Sequence, residues 1–399
     1  MTAITTADFS PQPHEGISPR LTFLLALTCG LVVANLYYAQ PLIGPISEAL
    51  GLPLDVAGLI VTMTQIGYVL GLLLIVPLAD LVENRRLICV VIGVGALALL
   101  GAALSSRPLP FLAAALVIGI GSVSVQIVVP FAAHLAPEAS RGRVVGNVTT
   151  GLLLGIMLAR PVASFVTAAA SWHAIFFCST GVMVVLALVL SRVLPRRVPA
   201  ARLGYGALLR SMLHLARTTP VLRRRAAYQA ALFAAFSLFW TVTPLLLAGP
   251  EFGLTQRGIA LFALAGVAGA VAAPIAGRLA DRGHSRFATA SAMLIVAASF
   301  LISHVGAAGS PLALAALVIA GIVLDFGVQA NLVVGFRAIF ALAPEARGRL
   351  NGLYLAAFFA AGAAGSAIGG WAFVRGGWPL ASWIGFALPV AALVYFATE

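Results

Sequence analysis

The chain has no lysine, 12 acidic residues in 399, and 3 cysteines. Charged residues of all kinds amount to 9%. An ordinary soluble domain carries about 25%, so that class is excluded. Cys29, Cys89 and Cys178 all fall in apolar sequence. They make neither a disulfide framework nor a metal-binding spacing, and are expected to be small core residues. The histidines sit at the ends of apolar runs or between them, again without metal spacing. No glycine-rich phosphate loop and no paired catalytic set appear, which argues against ATP coupling and against an enzyme. No cofactor and no metal are expected.

What is present is apolar sequence. The hydrophobic fraction is 61% and the mean hydropathy is +1.06. A helix needs about 20 apolar residues to cross the hydrocarbon core. Twelve such runs occur, at 21–43, 57–79, 87–105, 109–133, 144–169, 173–194, 224–248, 257–277, 287–307, 311–335, 350–373 and 378–397. Their length and lack of two-residue alternation predict helices, not barrel strands. The fold class expected is therefore an all-α membrane protein.

The net charge is +12 and all 24 basic residues are arginine. In a soluble protein this would suggest nucleic acid. Here the arginines follow membrane topology. With a cytoplasmic amino terminus, 20 fall on the cytoplasmic side and Arg107, Arg257 and Arg375 on the other, with Arg160 inside a run. Such asymmetry orients a membrane protein with its basic loops inside, so both termini are expected in the cytoplasm and the bilayer, not nucleic acid, is the partner.

The chain also repeats itself. Leu135-Ala136-Pro137-Glu138-Ala139-Ser140-Arg141-Gly142-Arg143 is echoed by Leu342-Ala343-Pro344-Glu345-Ala346-Arg347-Gly348-Arg349, with Gly142 and Gly348 separated by 206 residues. The same offset carries Trp172 onto Trp378. Two six-helix units follow, 1–194 (with a cytoplasmic tail 1–20) and 223–399, joined by a cytoplasmic linker 195–222. An even number of crossings per unit gives both the same orientation, related by a pseudo-two-fold along the membrane normal. The linker has a short amphipathic stretch (Leu208, Leu209, Met212, Leu213, Leu215) suited to the membrane surface. After the second and eighth runs, Asp80 is followed by Arg85 and Arg86, and Asp281 by Arg282. An acid at a helix carboxyl end opposes the helix dipole unless a base compensates. Arg141 and Arg143, with Arg347 and Arg349 in the other copy, are the expected partners in a cytoplasmic ionic gate. The plainer alternative is a simple basic turn.

Gly277-Arg278-Leu279-Ala280-Asp281-Arg282-Gly283 resembles the signature loop of the major facilitator superfamily. The copy around Asp80 is degenerate, with Val76, Leu81 and Glu83 at motif positions. Gly146, Gly155, Ala159-Arg160 and Ala163-Ser164 are similar to the glycine-rich fifth-helix pattern of the drug:proton antiporters, with Arg160 where proline is usual. Gly352, Ala361, Gly365-Ser366 and Gly369-Gly370 carry the same pattern in the second copy. Ala115 replaces the arginine those antiporters have in their fourth helix. With Asn35-Leu36-Tyr37-Tyr38-Ala39-Gln40-Pro41, the chain is most similar to the efflux-permease branch near these antiporters. The resemblance implies a monomeric inner-membrane exporter coupled to protons. Small residues let helices approach closely, so both glycine patterns are expected at the interface between the units.

Two charges lie deep in apolar runs. Asp325 stands 14 residues from Pro311 and 12 from Arg337, near the midplane. Insertion there costs about 2.5–3.5 kcal/mol, which favours a functional carboxyl able to take up and release a proton or hold a cation. A structural aspartate held by neighbouring donors is the alternative. Arg160 is the one deep base, and three readings of it stand open: a pair with Asp325, an anion ligand for substrate, or a structural donor. Candidate substrate contacts are Asn35, Tyr38, Gln40, Gln65, Gln126, Tyr228, Trp240 and Gln329, since amides and rings in an apolar cleft suit a small amphipathic solute. The expected function is a proton-coupled secondary transporter, an exporter or antiporter. The alternatives are a symporter or uniporter for a small anionic metabolite, and a receptor or scaffold that transports nothing.

Overall fold

A computed structural model describes residues 17–199, 204–271, 275–278, 282–342 and 346–399, and these contain helices and no strand. The first half holds α1 (Pro19–Ala34), α2 (Ile43–Leu50), α3 (Leu59–Leu74), α4 (Asn84–Leu104), α5 (Pro108–Ser122), α6 (Val125–Leu135), α7 (Glu138–Ala169) and α8 (Trp172–Val193). The linker contains α9 (Tyr205–Thr218). Then come α10 (Pro220–Ala248), α11 (Gln256–Ala263), α12 (Ser285–Ile302), α13 (Pro311–Phe340) and α14 (Arg347–Phe396). Local sequence sets several starts. Ser18 and Ser310 accept from the amides of Leu21 and Ala313, and Pro19 and Pro311 follow at the first helical position. Proline fits there because its missing N–H has no intrahelical partner to lose.

Among the described residues, nine helical segments are long and apolar enough to cross a membrane; Pro19–Ala34 and Gln256–Val267 are apolar but shorter. The difference from twelve runs has local causes. The first run breaks after Ala34, where amides of Asn35, Leu36, Tyr37 and Gln40 bond three residues back in the tighter 3-10 pattern. Pro41, with no N–H, continues this as a 3-10 turn over Gln40–Leu42. The eighth run likewise passes into 3-10 turns over Leu264–Val271. The last two runs join as one 50-residue helix, α14, broken at Gly376 and Gly377. Gly377 has φ of 61°, a left-handed conformation that glycine alone adopts without strain.

Helices pair closely where glycine removes the side chain. α1 packs on α7 and α3 on α5, while α10 packs on α14. A Cβ on Gly155 would meet the Gly30 backbone, and one on Gly365 the Ala234 backbone. These contacts correct the expectation for the glycines of the first pattern and for Gly365. Gly151 and Gly155 serve α1, within the first half, and Gly365 serves α10, within the second. Gly146 has open space around it. Contact between the halves runs through α3 on α14 and α7 on α11, and there the second pattern does take part: Gly58 lies against Ser366 and Gly370. Cys178 also departs from expectation, lying exposed, whereas Cys29 is buried. The linker helix α9 buries Leu208 and Met212 one turn apart. The Tyr205 hydroxyl donates to the Leu74 carbonyl (2.9 Å) at the end of α3, and Arg349 of α14 donates to Ser211. The linker thus straps α3 and α14 together.

Gly155→Val forces apart backbones in contact and is expected to cost about 1–3 kcal/mol. Thermal unfolding in detergent checks this, with Gly93→Ala, where a Cβ meets nothing within 4 Å, expected to leave the midpoint unchanged.

Candidate functional site

The two breaks in helix geometry bring the deep charges together. The 3-10 turn at Gln40 packs on α7, and the one at 264–271 packs on α7 and α13. Arg160 lies on α7 at 3% exposure. Its Nε donates to Gln40 Oε1 at 2.7 Å. Its guanidinium carbon stands 4.4 Å from the Trp240 ring centroid, 5.0 Å from Phe236 and 5.2 Å from Tyr37. Aromatic faces carry negative potential and attract a cation within about 6 Å. A helix continuing straight through residues 35–42 would turn Gln40 differently, so the broken backbone is what aims its amide at α7.

Asp325 on α13 is also buried, and its Oδ1 accepts from the Trp240 indole N–H at 2.8 Å. Gly266 lets the neighbouring turn close over this pair, since a Cβ there would lie 2.8 Å from Asp325 Oδ2 and 3.1 Å from the Trp240 ring. Arg160 and Asp325 form no ion pair within 4.0 Å; the two pairs among the described residues are Arg85–Glu83 and Arg225–Glu399. Trp240 connects the charges instead. Its face holds the cation and its N–H holds the carboxylate. An ionised acceptor strengthens the indole hydrogen bond and adds electron density to the ring, which strengthens its hold on Arg160.

Beside this centre a buried polar chain crosses between the halves. Gln65 Nε2 donates to Ser237 (2.7 Å), which is 3.0 Å from Ser366, and Thr241 donates to Ser366 at 3.2 Å. Ser366 is the residue that the 206-residue offset places opposite Arg160. Gln126 donates to the Tyr68 hydroxyl (3.0 Å) and accepts from Asn351 (3.2 Å), again joining the halves.

Other predicted contacts lie elsewhere. Asn35 accepts from Ser179 at 2.5 Å and ties α1 to α8. Tyr228 reaches the chain's end, donating to Glu399 (3.1 Å) and packing on Tyr395 and Phe396. It is not beside Asp325. Gln329 is half-buried one turn along α13, but the paired amide there is Asn331, which donates to Gln229 at 2.7 Å. Tyr38 and Ala159 line the deep end of a groove of about 830 Å3 between α1 and α7. Its walls are mainly apolar, with Arg143 and Asn147 at the other end. Sequence reading missed Tyr37 and Phe236. The adjacency of Tyr37 to Gln40 was the available signal, and Phe236 lies one helical turn before Trp240.

Residues 22–334 match the family model described as Major Facilitator Superfamily. The chain belongs to the Major Facilitator Superfamily. It is 39% identical over 369 residues to "Uncharacterized transporter YgaY" of Escherichia coli O157:H7, covering 92% of each chain. It is 33% identical over 371 residues to "Probable transporter SCO4007" of Streptomyces coelicolor, covering 92% of this chain and 85% of that one. The fold is similar to the crystal structure of the nucleoside transporter NupG, with TM-score 0.74 and 14% identity over 94% of this chain and 98% of that one. A bacterial homolog of the human lysosomal transporter Spinster gives TM-score 0.71 at 14% identity, over 95% and 94%. The chain is thus a membrane-embedded transporter of this superfamily type.

At the arginine-rich end, the described residues around Asp80 do not form the expected ionic gate. Asp80 and Arg86 are exposed, and neither takes part in the two ion pairs found among the described residues. Arg85 pairs with nearby Glu83 (3.6 Å) and donates to the Leu194 carbonyl. Arg143 is exposed at the groove, Arg282 is exposed, and Asp281 lies outside the described residues. The two repeat arginines act alike on backbone. Arg141 Nε donates to the Ala133 carbonyl (3.1 Å) and Arg347 Nε to the Phe340 carbonyl (3.0 Å). Each satisfies a carbonyl near the end of the preceding helix, where the last four have no intrahelical donor and the dipole favours a cation.

Trp240→Phe keeps a ring beneath Arg160 but leaves Asp325 without its donor. An expected loss of about 1–3 kcal/mol is read as a lowered unfolding midpoint. At the arginine-rich end, Arg347→Ala is expected to lose about 0.5–1 kcal/mol while Asp80→Ala loses nothing measurable. An equal loss at Asp80 in chemical denaturation would restore the ionic gate.

Proposed function

We propose that this protein is a proton-coupled secondary active transporter of a small organic solute, working by alternating access, with Asp325 as the proton site. The observation that carries the reading is the Arg160–Trp240–Asp325 arrangement, two buried charges linked through one indole. Ionised Asp325 draws on the Trp240 N–H and offsets the charge of Arg160. A proton on Asp325 removes that anion and weakens both the hydrogen bond and the cation–π contact. Arg160, which stays charged, then needs another anion, water or a new conformation. Protonation is thereby tied to the packing of α7, α10 and α13. No catalytic role is assigned to any of these residues, and the protein is read as a carrier and not an enzyme.

The proposed architecture has twelve crossings in two bundles, 1–194 and 223–399, with the linker and both termini in the cytoplasm and the chain acting as a monomer in a bacterial inner membrane. The 206-residue repeat and the arginine asymmetry support it. The polar chain through Gln65, Ser237 and Ser366 and the bridge through Gln126 and Asn351 lie where the bundles would meet and part. Export by antiport requires solute and proton to compete. Cotransport of a proton with a small anion requires them to bind together, and this second reading is favoured by one observation: Arg160 Nη2 is buried without a hydrogen-bond partner among the described residues.

Proteoliposomes containing a pH-sensitive dye test the proposal. A transported solute is expected to drive proton flux through the native protein. Asp325→Asn is expected to abolish the flux while exchange at equal pH persists in part. Transport by that variant with unchanged pH dependence would falsify the assignment.

A further inference from the structure

Among the described residues, buried donors without acceptors gather around Arg160. Its Nε is committed to Gln40 Oε1, and its Nη2 has no partner. Gln40 is fully buried, and because its carbonyl oxygen faces the arginine, its Nε2 is left without an acceptor. Ser164, one turn further along α7 and fully buried, also has an unpartnered hydroxyl. A guanidinium presents five N–H groups and no acceptor, and native structures satisfy nearly all buried polar groups. The nearest compensating carboxylate, Asp325, is engaged by Trp240. The remaining surroundings are the faces of Tyr37, Phe236 and Trp240.

We propose that the transported solute carries a carboxylate or similarly small oxyanion on an apolar or aromatic body, and that this anion docks on Arg160 Nη2 and Gln40 Nε2. The inference rests on the transporter reading above. A carboxylate supplies two acceptor oxygens and one negative charge, matching a planar cation and a neighbouring amide. The aromatic walls supply the apolar contact. Other ionisable groups do not alter the balance: Tyr37 and Asp325 are those acting on Arg160, and Arg160 and Tyr37 those acting near Asp325. Trp240 and the 264–271 turn contribute no charge, and Arg257 of α11 is exposed.

The coupling follows from charge. With Asp325 ionised, the centre holds one positive and one negative group and gives an anion little net attraction. With Asp325 protonated, the net charge is positive and the anion is held. By linkage the anion favours protonation of Asp325 by the same factor. Proton and anion therefore bind and cross together, which makes the carrier a symporter in whichever direction the gradients drive it.

Binding to the purified full-length protein in detergent tests this without any gradient. Calorimetry and thermal unfolding are run with acetate, benzoate and sulfate, against neutral benzamide and cationic benzylamine, at pH 6 and pH 8. At least one anion, benzoate foremost, is expected to bind, about tenfold tighter at pH 6. Benzamide and benzylamine are expected not to bind. Asp325→Asn should bind benzoate at pH 8 as tightly as the native protein does at pH 6, a gain that misfolding does not produce. Arg160→Gln should lose binding by roughly tenfold or more. The proposal is overturned if none of the three anions binds, if benzylamine binds instead, or if Asp325→Asn leaves affinity at pH 8 unchanged. Proton flux that still depends on Asp325 alongside absent anion binding would sink this inference and leave the transporter reading standing. Anion binding without proton flux would overturn the transporter reading and with it the claim that the anion is carried, leaving an anion site alone.

Discussion

Burying a guanidinium among apolar helices is costly unless its charge and its N–H groups find partners. Arg160 meets this constraint with a single side-chain acceptor, three aromatic faces and a carboxylate that acts through an indole. Much of the surrounding backbone accommodates that arrangement. The first run gives up regular helix after Ala34, which places Tyr37 and Gln40 beside α7. The turn at 264–271 comes close enough over Asp325 and Trp240 that a Cβ at position 266 would crowd both. In a bilayer, departures from the α-helix are tolerated where the protein buries them; residues 35–42 are buried beside Arg160, and the second turn meets the charged centre through buried Gly266.

Elsewhere in the interior, close backbone approach at glycine adds to the packing of bulky apolar side chains. Gly30 with Gly151 and Gly155, and Gly365 with Ala234, bring helix axes together within each half. Between the halves the contacts are more polar: Gln65 with Ser237, Gln126 with Asn351, and Thr62 donating to the Ala363 carbonyl (2.9 Å). Lipid gives no hydrophobic gain for bringing one apolar helix against another, so close van der Waals contact and hydrogen bonds carry the association. Polar contacts can exchange partners when two packed bodies shift, as the proposed alternating access requires.

Legibility in the sequence followed the physics of each feature. The helical character, the apolar runs and the depth of Arg160 and Asp325 depend on local composition and were readable. The repeat was readable too, and it reappears as Arg141 and Arg347 each bonding a carbonyl of the preceding helix. The breaks at Asn35–Leu42 and Leu264–Val271 were not, because continuous apolar sequence does not reveal where packing overrides helix geometry. The charged end of the second run suggested an ionic gate, yet Asp80 is exposed and makes no such pair among the described residues. Charges that are neighbours in sequence near a helix end have solvent available, and nothing compels them to pair.

Trp240 marks the division most clearly. Its residue type and its position midway along the seventh run marked it as a cavity candidate, and no sequence pattern reveals that it joins two charges. That role requires its face and its N–H to point in different directions at groups 80 residues before it and 85 after it in the chain. Composition and periodicity determined that this chain spans a membrane as duplicated helices, because transfer into lipid acts on each segment separately. The tertiary structure alone decided which buried polar atoms meet and which are left without partners, because hydrogen bonds and cation–π contacts depend on distances and angles between segments that the chain brings together only by folding.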